Sequence, residues 1–414
     1  MSIVRPFRGL RPRPEYAATV ASPPYDVLSS DEARAMVKNN PNSFLRINKP
    51  EVDFESGVSL YSDEIYQRGK QNLQRLTDEG IMCRDEKQCF YLYRLTWMNQ
   101  SQTGLVALTS CEEYNQGKIK KHEHTRPDKV NDRANHIQEV AAQVGPVFSI
   151  FRDNPYIQAL FAGIVESPPD YDFTSEDDVR HEMWVVDNAD IIDNLVTTFG
   201  KLDALYIADG HHRSAAASEV ARRMKEQNPN HTGDEQYNFF LNVIFPDSEL
   251  RILPYNRVVK GLNGMTTDEL LTKLKDAFEV TPQPKAVDPE KPYHFGVLCQ
   301  DKWYCLTAKE GTFDTSNPAD SIDSAVLTAN LLSPVLGIED IRTDKNIDFV
   351  GGIRGVQELE RLVKSGDFDI AFSLYPVTVS QLLAVADAGE VMPPKSTWFE
   401  PKLRSGMVIN LLDK

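Results

Sequence analysis

One short segment constrains the fold of this 414-residue chain more than any other. At residues 202–220 an apolar strand, LDALYIA, is followed at once by DGHHR and then by the helical run SAAASEV. The strand is apolar enough to be buried, and Gly210 allows the sharp turn between the two elements. This pattern predicts an α+β (mixed α/β) fold, because a strand here feeds directly into a helix.

The same turn carries the residue types of an anion-binding site. The first backbone N–H groups of a helix have no partner within the helix, and its dipole adds partial positive charge there. We expect the helix to begin at Ser214, after Gly210 and three side-chain donors, His211, His212 and Arg213. The alternative is a capped helix with solvated histidines. A zinc site is disfavoured because no third ligand stands at a suitable spacing.

The rest of the chain predicts a mixture of strands and helices without an internal repeat. Hairpins are expected with turns at 99–102 and 300–302, and an amphipathic helix at 57–79. The expected architecture is therefore mixed or antiparallel sheets with flanking helices. The proline-rich stretch Thr281–Tyr293 could be a linker or a loop at a domain edge.

Charge and hydropathy exclude several function classes. The 45 basic and 61 acidic side chains give a formal charge of −16, which repels nucleic acids and anionic membranes over most of the surface. No stretch approaches the apolar length of a membrane helix, and the N-terminal segment lacks the apolar core of a signal peptide. Five scattered cysteines without a CxxC pair fit buried thiols in a reducing cytoplasm.

A second polar cluster, GKIKKHEHTRPDKV, lies at residues 117–130. Thr125 fits a helix N-cap with Asp128 three residues later, which places His122, Glu123 and His124 just before a helix. If this piece is extended, the two histidines share one face. The neighbouring lysines and Arg126 would keep Glu123 ionised, able to act as a base or to hold Mg²⁺. The alternative is an exposed polar segment that leads into the helix.

A third cluster lies near the C-terminal end. It combines cations, hydroxyl groups and aromatic rings, a set that suits an anionic ligand with a planar ring. Its members are Lys395, Ser396, Thr397, Trp398, Phe399, Pro401, Lys402 and Arg404. The alternative is a surface loop anchored by its two aromatic rings.

Five separated motifs resemble one widespread prokaryotic family, domain of unknown function number 1015. They are RPFRGLRP, SPPYDVLS, HEHT, ADGHHRSAA and MPPKSTWFEPKLRSGMVI, in the family order and over nearly the whole chain. The family carries no activity in its name, so the resemblance implies kinship alone.

DGHHR also resembles the phosphate-binding strand-turn-helix of the ParB/sulfiredoxin-like superfamily, which includes nucleotide-binding partitioning proteins, sulfiredoxins and free serine kinases. The resemblance implies that Gly210, His212 and Arg213 bind phosphate, and Asp209 matches the acid before the glycine in the kinases. His211 stands where a sulfiredoxin needs its cysteine, which argues against sulfinic acid reduction. The acidic charge and the missing helix-turn-helix argue against a DNA-partitioning role.

The kinase branch gives the leading hypothesis, a nucleotide-dependent phosphotransferase that acts on the hydroxyl group of a small metabolite. ATP or ADP, with CTP as an alternative, and Mg²⁺ are the expected cofactors, with Glu123 or Asp209 as metal candidates. Rival hypotheses are a non-catalytic nucleotide sensor and a metal-dependent hydrolase. No nucleic-acid or membrane partner is expected, and the expected location is the cytoplasm.

The predicted roles fall into two groups. Catalysis is assigned to Glu123, His122, His124 and Asp209. Cofactor binding is assigned to Gly210, His211, His212, Arg213, Arg126, Lys395, Ser396, Thr397 and Lys402. Three regions are predicted: an N-terminal α+β region (1–115), a nucleotide-binding region (116–280), and a C-terminal α+β region (281–414) that returns a loop to the site.

Overall fold

A computed structural model describes residues 2–55 and 57–412. The chain divides into two compact units. Unit 1 comprises the residues up to Lys121, Thr125–Leu250 and the segment from Pro401 onward. Unit 2 comprises His122–His124 and Arg251–Glu400. The three-region division by sequence stays a prediction.

Strands and helices are interleaved along the whole chain. The strands are β1 Val4–Arg5, β2 Leu10–Pro12, β3 Met82–Arg84, β4 Phe90–Trp97, β5 Gln100–Ser110, β6 Ile119–Lys120, β7 Ala142–Gln143, β8 Val147–Phe151, β9 Tyr171–Thr174, β10 Arg180–Val186, β11 Leu205–Asp209, β12 Phe239–Pro246, β13 Ile252–Leu253, β14 Tyr255–Val259, β15 Phe278–Gln283, β16 His294–Cys299, β17 Lys302–Ala308, β18 Ile347–Gly351, β19 Ile370–Leu374, β20 Trp398–Phe399 and β21 Asn410–Leu411. The α-helices are α1 Ala17–Val20, α2 Ser30–Val37, α3 Leu45–Asn48, α4 Asp63–Asp78, α5 Cys111–Asn115, α6 Pro127–Val140, α7 Pro155–Ile164, α8 Ala189–Phe199, α9 His211–Gln227, α10 Thr267–Leu274, α11 Asp323–Leu327, α12 Gly355–Lys364 and α13 Val379–Asp387.

Unit 1 is built on a mixed sheet in the order β6-β11-β8-β12-β5-β4-β10-β9, with β1 added beside β5. The pairs β6–β11 and β8–β12 are parallel, and the other pairs in this sheet are antiparallel. Side chains from the sheet and from α6, α8 and α9 share one apolar core that includes Leu105, Ala134, Phe199, Ile207 and Ala217. The mixed α/β class predicted from the sequence is confirmed.

The hairpin of β4 and β5 forms as predicted, with a tighter turn. Met98 and Asn99 have positive φ angles of 48° and 61°, as in a two-residue hairpin turn. Gln100 and Gln102, which the sequence placed in the turn, pair across the hairpin instead. Polar character alone therefore overestimated the length of the turn.

Unit 2 is built on an antiparallel sheet in the order β15-β17-β16-β19-β14-β18. One core of this unit includes Val259, Phe278, Phe295 and Leu331. The predicted β16–β17 hairpin is confirmed. The first residues of the proline-rich stretch, Thr281–Gln283, belong to β15 and pair with β17, so this stretch lies inside unit 2.

The end of the chain returns to unit 1 after unit 2 is complete. Backbone hydrogen bonds join Ser405 to Ser22 and Ile409 to Leu10, and Asn410 of β21 pairs with Gln143 of β7. Leu403, Val408, Ile409 and Leu412 are buried there.

Two other findings concern the described residues. None of their helices combines the length and the apolar character that crossing a bilayer requires. Cys89, Cys111 and Cys299 are buried thiols as expected, whereas Cys83 is exposed and Cys305 is half-buried.

Candidate functional site

Two helix N-termini come together in unit 1. Strands β6 and β11 lie side by side and parallel, and each leads toward a helix, α6 and α9 respectively. The backbone N–H of Arg126 donates to Nε2 of His212 at 3.1 Å. Further along the two helices, Arg223 donates to Asn131 and Gln138. The predicted motifs HEHTRP and DGHHR are therefore in contact through Arg126 and His212.

Gly210 makes the turn between β11 and α9. Its φ of 93° lies in the left-handed region that favours glycine, and it is the N-cap of α9. A β-carbon at this position would lie 3.2 Å from Cζ of Arg213 and 3.3 Å from Cα of Val147. The helix begins at His211 and not at Ser214 as predicted, so DGHHR itself supplies the first helical turn. Its N-cap residue, Gly210, has no side chain with which to cap the helix.

Asp209 sits beside this helix start between two cations. Nζ of Lys402 donates to its Oδ2 at 3.2 Å, and Nη2 of Arg213 lies 3.6 Å from its Oδ1. Burial alone would raise the pKa of Asp209, but Lys402 and then Arg213 outweigh burial and hold this pKa well below its usual range. Asp209 therefore stays ionised, and it holds the ammonium group of Lys402 close to the start of α9.

Arg213 points into the protein, although the sequence had suggested that it offers its fork to a ligand. Its side chain is 9% exposed, Nη1 donates to the carbonyl of Pro146, and Nη2 donates to Asp26 Oδ2 at 3.2 Å. Asp26 comes from SPPYDVLS, one of the five family motifs. A direct contact of Arg213 with phosphate stays a prediction, and it requires Arg213 to exchange partners.

A small cavity of about 30 Å³ lies against Arg213. Its walls include Tyr25, Asn48, Arg133 and His136, and the guanidinium of Arg133 lies 4.3 Å from the ring centre of Tyr25. Nδ2 of Asn48 and Nε of Arg213 have no hydrogen-bond partner among the described residues. The cavity has room for water and is too small for a nucleotide.

The sequence analysis did not identify four residues that lie around Arg213. They are Tyr25, Asp26, Asn48 and Arg133. A signal was present for three of them, because Tyr25 and Asp26 form the polar end of SPPYD and Arg133 lies on the helix that follows HEHT. Burial raises the pKa of Tyr25 to about 12, so its hydroxyl group stays protonated.

Part of the second cluster, His122–His124, belongs to unit 2. Glu123 and His124 line a cavity of about 280 Å³ in that unit, together with Asp320, Arg342 and Met392. His122 is buried and its carbonyl accepts a hydrogen bond from Met392 N, whereas His124 is exposed. The two histidines thus differ in exposure, and the prediction that they share one face stays a prediction.

The N-terminus of α6 also corrects a prediction. Arg126, and not Thr125, is the N-cap residue of α6, and Pro127 is the first helical residue. The side chain of Arg126 forms an ion pair with Asp128, with Nη2 at 2.8 Å from Oδ2. Within residues 2–55 and 57–412, no group of three or more His, Cys, Asp or Glu side chains could hold a metal ion.

The structure divides the third cluster between the two units. Lys395, Ser396 and Thr397 belong to unit 2, and Lys402 and Arg404 belong to unit 1. Ser396 is buried, with its Oγ 2.7 Å from Oγ of Ser324. Arg404 is also buried, and it binds Ser175 and Asp177. Lys402 is thus the one residue of this predicted cluster that contacts Asp209 among the described residues.

Comparison with protein families identifies the kinship of the chain. The profile of the family described as "Protein of unknown function (DUF1015)" matches residues 4–327, which is more than three quarters of the sequence. The chain belongs to the DUF1015 family. Among curated proteins, a search found no match for this DUF1015 protein.

Several solved structures resemble the DUF1015 chain at low similarity. A conserved hypothetical protein from Pyrococcus furiosus has 14% identity and a TM-score of 0.37, over 74% of this chain and 95% of its own. A free serine kinase in complex with AMP has 13% identity and a TM-score of 0.39, over 74% and 91%. A C-terminally truncated SbnI from Staphylococcus aureus has 11% identity and a TM-score of 0.38, over 74% and 87%. At these scores, the likeness carries no argument about function.

The arrangement at Asp209 can do one kind of chemistry well. It places a lysine ammonium group near the N-terminus of α9, which is a setting that attracts phosphate or carboxylate oxygens.

Proposed function

We propose that the DUF1015 chain binds a nucleotide through its phosphates at the start of α9 and transfers a phosphoryl group to the hydroxyl group of a small metabolite. The observation that carries the proposal is the ion pair between Lys402 and Asp209 beside the start of the helix that follows Gly210. ATP or ADP is the proposed donor, with CTP as the alternative.

Each residue around the start of α9 has a proposed part in phosphate binding. The first-turn amides of α9 would donate to phosphate oxygens, and Lys402 would share its ammonium group between Asp209 and the phosphate. Nε2 of His212 accepts from Arg126 N–H, so the neutral ring carries its proton on Nδ1 and can donate from there. Arg213 supports the turn from inside as a positioning residue.

The proposed general base is Glu123, because it lines a cavity whereas the carboxylate of Asp209 is held by Lys402 and Arg213. The pKa of Asp209 is held so low that this carboxylate is a poor proton acceptor. Glu123 lines a cavity large enough for a small metabolite. A positioned base of this kind typically accelerates a reaction by about 10²–10⁴-fold.

Of the two metal candidates, Asp209 does not fit Mg²⁺, because Lys402 and Arg213 already neutralise its carboxylate. Glu123 fits better, since Asp320 lines the same cavity and Mg²⁺ is commonly held by one or two carboxylates plus phosphate oxygens. Bound Mg²⁺ would neutralise phosphate charge. The metal-dependent hydrolase is not part of the proposal, because in the part of the chain that the structure describes no three His, Cys, Asp or Glu side chains are grouped so that they could hold a metal ion.

The test combines nucleotide binding with product analysis. We expect ATP or ADP to raise the melting temperature of the wild type, and Lys402→Gln to weaken binding by about tenfold or more, as expected for losing a charge-assisted hydrogen bond. Lys201→Gln, an exposed lysine just before β11, is the matched control. Incubation with free amino acids and other small alcohols, followed by mass spectrometry, then detects a phosphorylated product.

Three outcomes are informative. Binding with a phosphorylated product supports the phosphotransferase. Binding without any product favours the non-catalytic nucleotide sensor. Absence of a melting shift with every nucleotide, or equal affinity in Lys402→Gln and the wild type, would rule out the phosphate site at α9.

A further inference from the structure

Arg257 is an unusual residue for the middle of a buried strand. It lies in β14 of unit 2, between Phe349 of β18 and Phe372 of β19 in the sheet register. Its side chain is 0% exposed. The alternation along β14 places Arg257 on the same sheet face as Tyr255 and Val259, and Val259 is part of the apolar core of this unit.

The guanidinium group of Arg257 has one edge without partners. Nη1 donates to the carbonyl of Tyr255, and Cζ lies over the ring of Phe349 at 5.4 Å from its centre. Nε and Nη2 have no hydrogen-bond partner among the described residues. These two nitrogens form the side-on fork with which arginine binds both oxygens of a carboxylate or phosphate.

The charge of Arg257 persists despite its burial. Desolvation lowers the pKa of Arg257 to about 10, which still leaves the group protonated at neutral pH. A buried charge without a partner is strongly unfavourable, and an apolar side chain of similar size would be more stable there. Other buried arginines of the chain do have a carboxylate partner: Arg213 pairs with Asp26, and Arg404 pairs with Asp177.

The surroundings of Arg257 are aromatic and basic. The ring of Tyr255 lies 5.2 Å from that of Trp398 and 6.1 Å from that of Phe349, both edge-to-face. Nζ of Lys395 lies 5.5 Å from the ring centre of Tyr255. A β-carbon at Gly351 would come within 2.7 Å of the Trp398 indole, so this indole lies directly on the strand backbone. A planar, negatively charged ligand matches such a lining.

We propose that unit 2 has a binding site for a small oxyanion ligand, a carboxylate or a phosphate ester, and that the Nε–Nη2 fork of Arg257 is its anchor. Tyr255, Phe349 and Trp398 would contact the apolar part of the ligand. The residues of this site belong to unit 2 and differ from those proposed to hold phosphate at α9, which belong to unit 1. Since Arg257 is fully buried, binding requires the side chains around it to move apart.

The experiment uses the full chain and two probes, benzoate as the carboxylate and inorganic phosphate. We expect at least one probe, at millimolar concentration, to raise the melting temperature of the wild type and to shift the Arg257 Nε–H resonance in ¹⁵N-arginine spectra. R257M removes the charge and fork, and should weaken binding by about 100-fold, as expected for two hydrogen bonds to a charged group. Without a probe, R257M should melt no lower than the wild type.

R257K keeps the charge without the fork and serves if R257M does not fold; it should also bind weakly. Arg361→Met, an exposed arginine of α12, is the matched control and should bind as the wild type does. Lys402→Gln should leave this binding unchanged, which separates this site from the one at α9. No response of the wild type to either probe would overturn the proposal, as would unchanged affinity in R257M or R257K.

Discussion

At the residue scale, Asp209 couples the last segment of the chain to the start of α9. Its carboxylate accepts from Lys402 and lies near Arg213, and its own backbone neighbour Gly210 donates to Oδ1 at 2.8 Å. The carboxylate of Asp209 therefore positions Lys402, Arg213 and Gly210 together. Removal of one of these groups should affect both the stability of the protein and its binding of anions.

Substitution of Lys402 by Met tests this coupling. We expect the free energy of unfolding to fall by about 1–3 kcal/mol, because a partly buried carboxylate loses a charged hydrogen-bond donor. Urea unfolding at pH 7 measures the change, and the exposed Lys201→Met is the control with an expected change near zero. A Lys402→Met protein as stable as the wild type would show that the ion pair contributes no net stability.

Two buried histidines predict how stability depends on pH. Burial lowers the pKa of His136 to about 3, with Arg133 adding to the shift, and burial and then Arg404 lower the pKa of His181 to about 3. An unfolded histidine has a pKa of about 6.5, so below that pH the unfolded chain binds more protons than the folded chain. Stability should therefore fall as pH falls from about 6.5 toward 3, by up to about 1.4 kcal/mol per pH unit for each histidine.

Urea unfolding at pH 7, 6 and 5 measures this slope. His136→Gln should reduce it, because glutamine does not titrate and its amide can still donate to the carbonyl of Ile47, as Nε2 of His136 does at 2.8 Å. An identical slope in wild type and His136→Gln would contradict the assignment of this pH dependence to His136.

At the scale of elements, the turn between β11 and α9 depends on one glycine. Gly210→Ala should destabilise the protein by about 1–3 kcal/mol and weaken nucleotide binding, because Cβ meets Arg213 and Val147 in a backbone conformation that alanine disfavours. Gly233→Ala is the matched control, since its φ is 100° and a β-carbon there meets nothing within 4 Å. The loss of unfolding free energy in Gly210→Ala minus the loss in Gly233→Ala gives the cost of the close contact. Equal losses in the two variants would refute this cost.

Local signals predicted individual elements well. The β4–β5 and β16–β17 hairpins follow from apolar runs on both sides of short polar turns. The first residues of helices were predicted less accurately. Histidine and arginine are compatible with either a turn or a helix, so the sequence placed the beginning of α9 at Ser214 when it is at His211.

The sequence did not predict which residues far apart in the chain pair with each other. The parallel pairing of β6 with β11 depends on residues 86 positions apart, for example Ile119 and Leu205. The partnership of Asp26 with Arg213 likewise depends on tertiary packing, so it changed the expected role of the arginine. The motifs indicated candidate site residues, and tertiary packing decided which of their side chains are buried.

At the scale of the whole molecule, unit 1 is discontinuous in sequence. It needs residues from Pro401 onward to satisfy backbone groups of Leu10 and Ser22 and to bury Leu403, Val408 and Ile409. Unit 2, by contrast, is formed almost entirely by Arg251–Glu400.

Truncation after Glu400 should therefore destabilise unit 1. Each buried aliphatic side chain that is lost contributes about 1.5–3 kcal/mol, so several together approach the total stability of an ordinary domain. Hydrogen exchange should show loss of protection in β11 and β12 and retained protection in β16 and β19. A chain ending at Leu412 is the control, and full protection of β11 in the chain truncated after Glu400 would contradict the expectation.

This discontinuity has a consequence during synthesis. The ribosome adds all of Arg251–Glu400 before it adds Lys402, Ser405 and Ile409, which pair with Asp209, Ser22 and Leu10. Unit 1 thus closes only after the residues of unit 2 have been synthesised. Every nascent chain passes through a stage in which the proposed nucleotide site lacks its ammonium group.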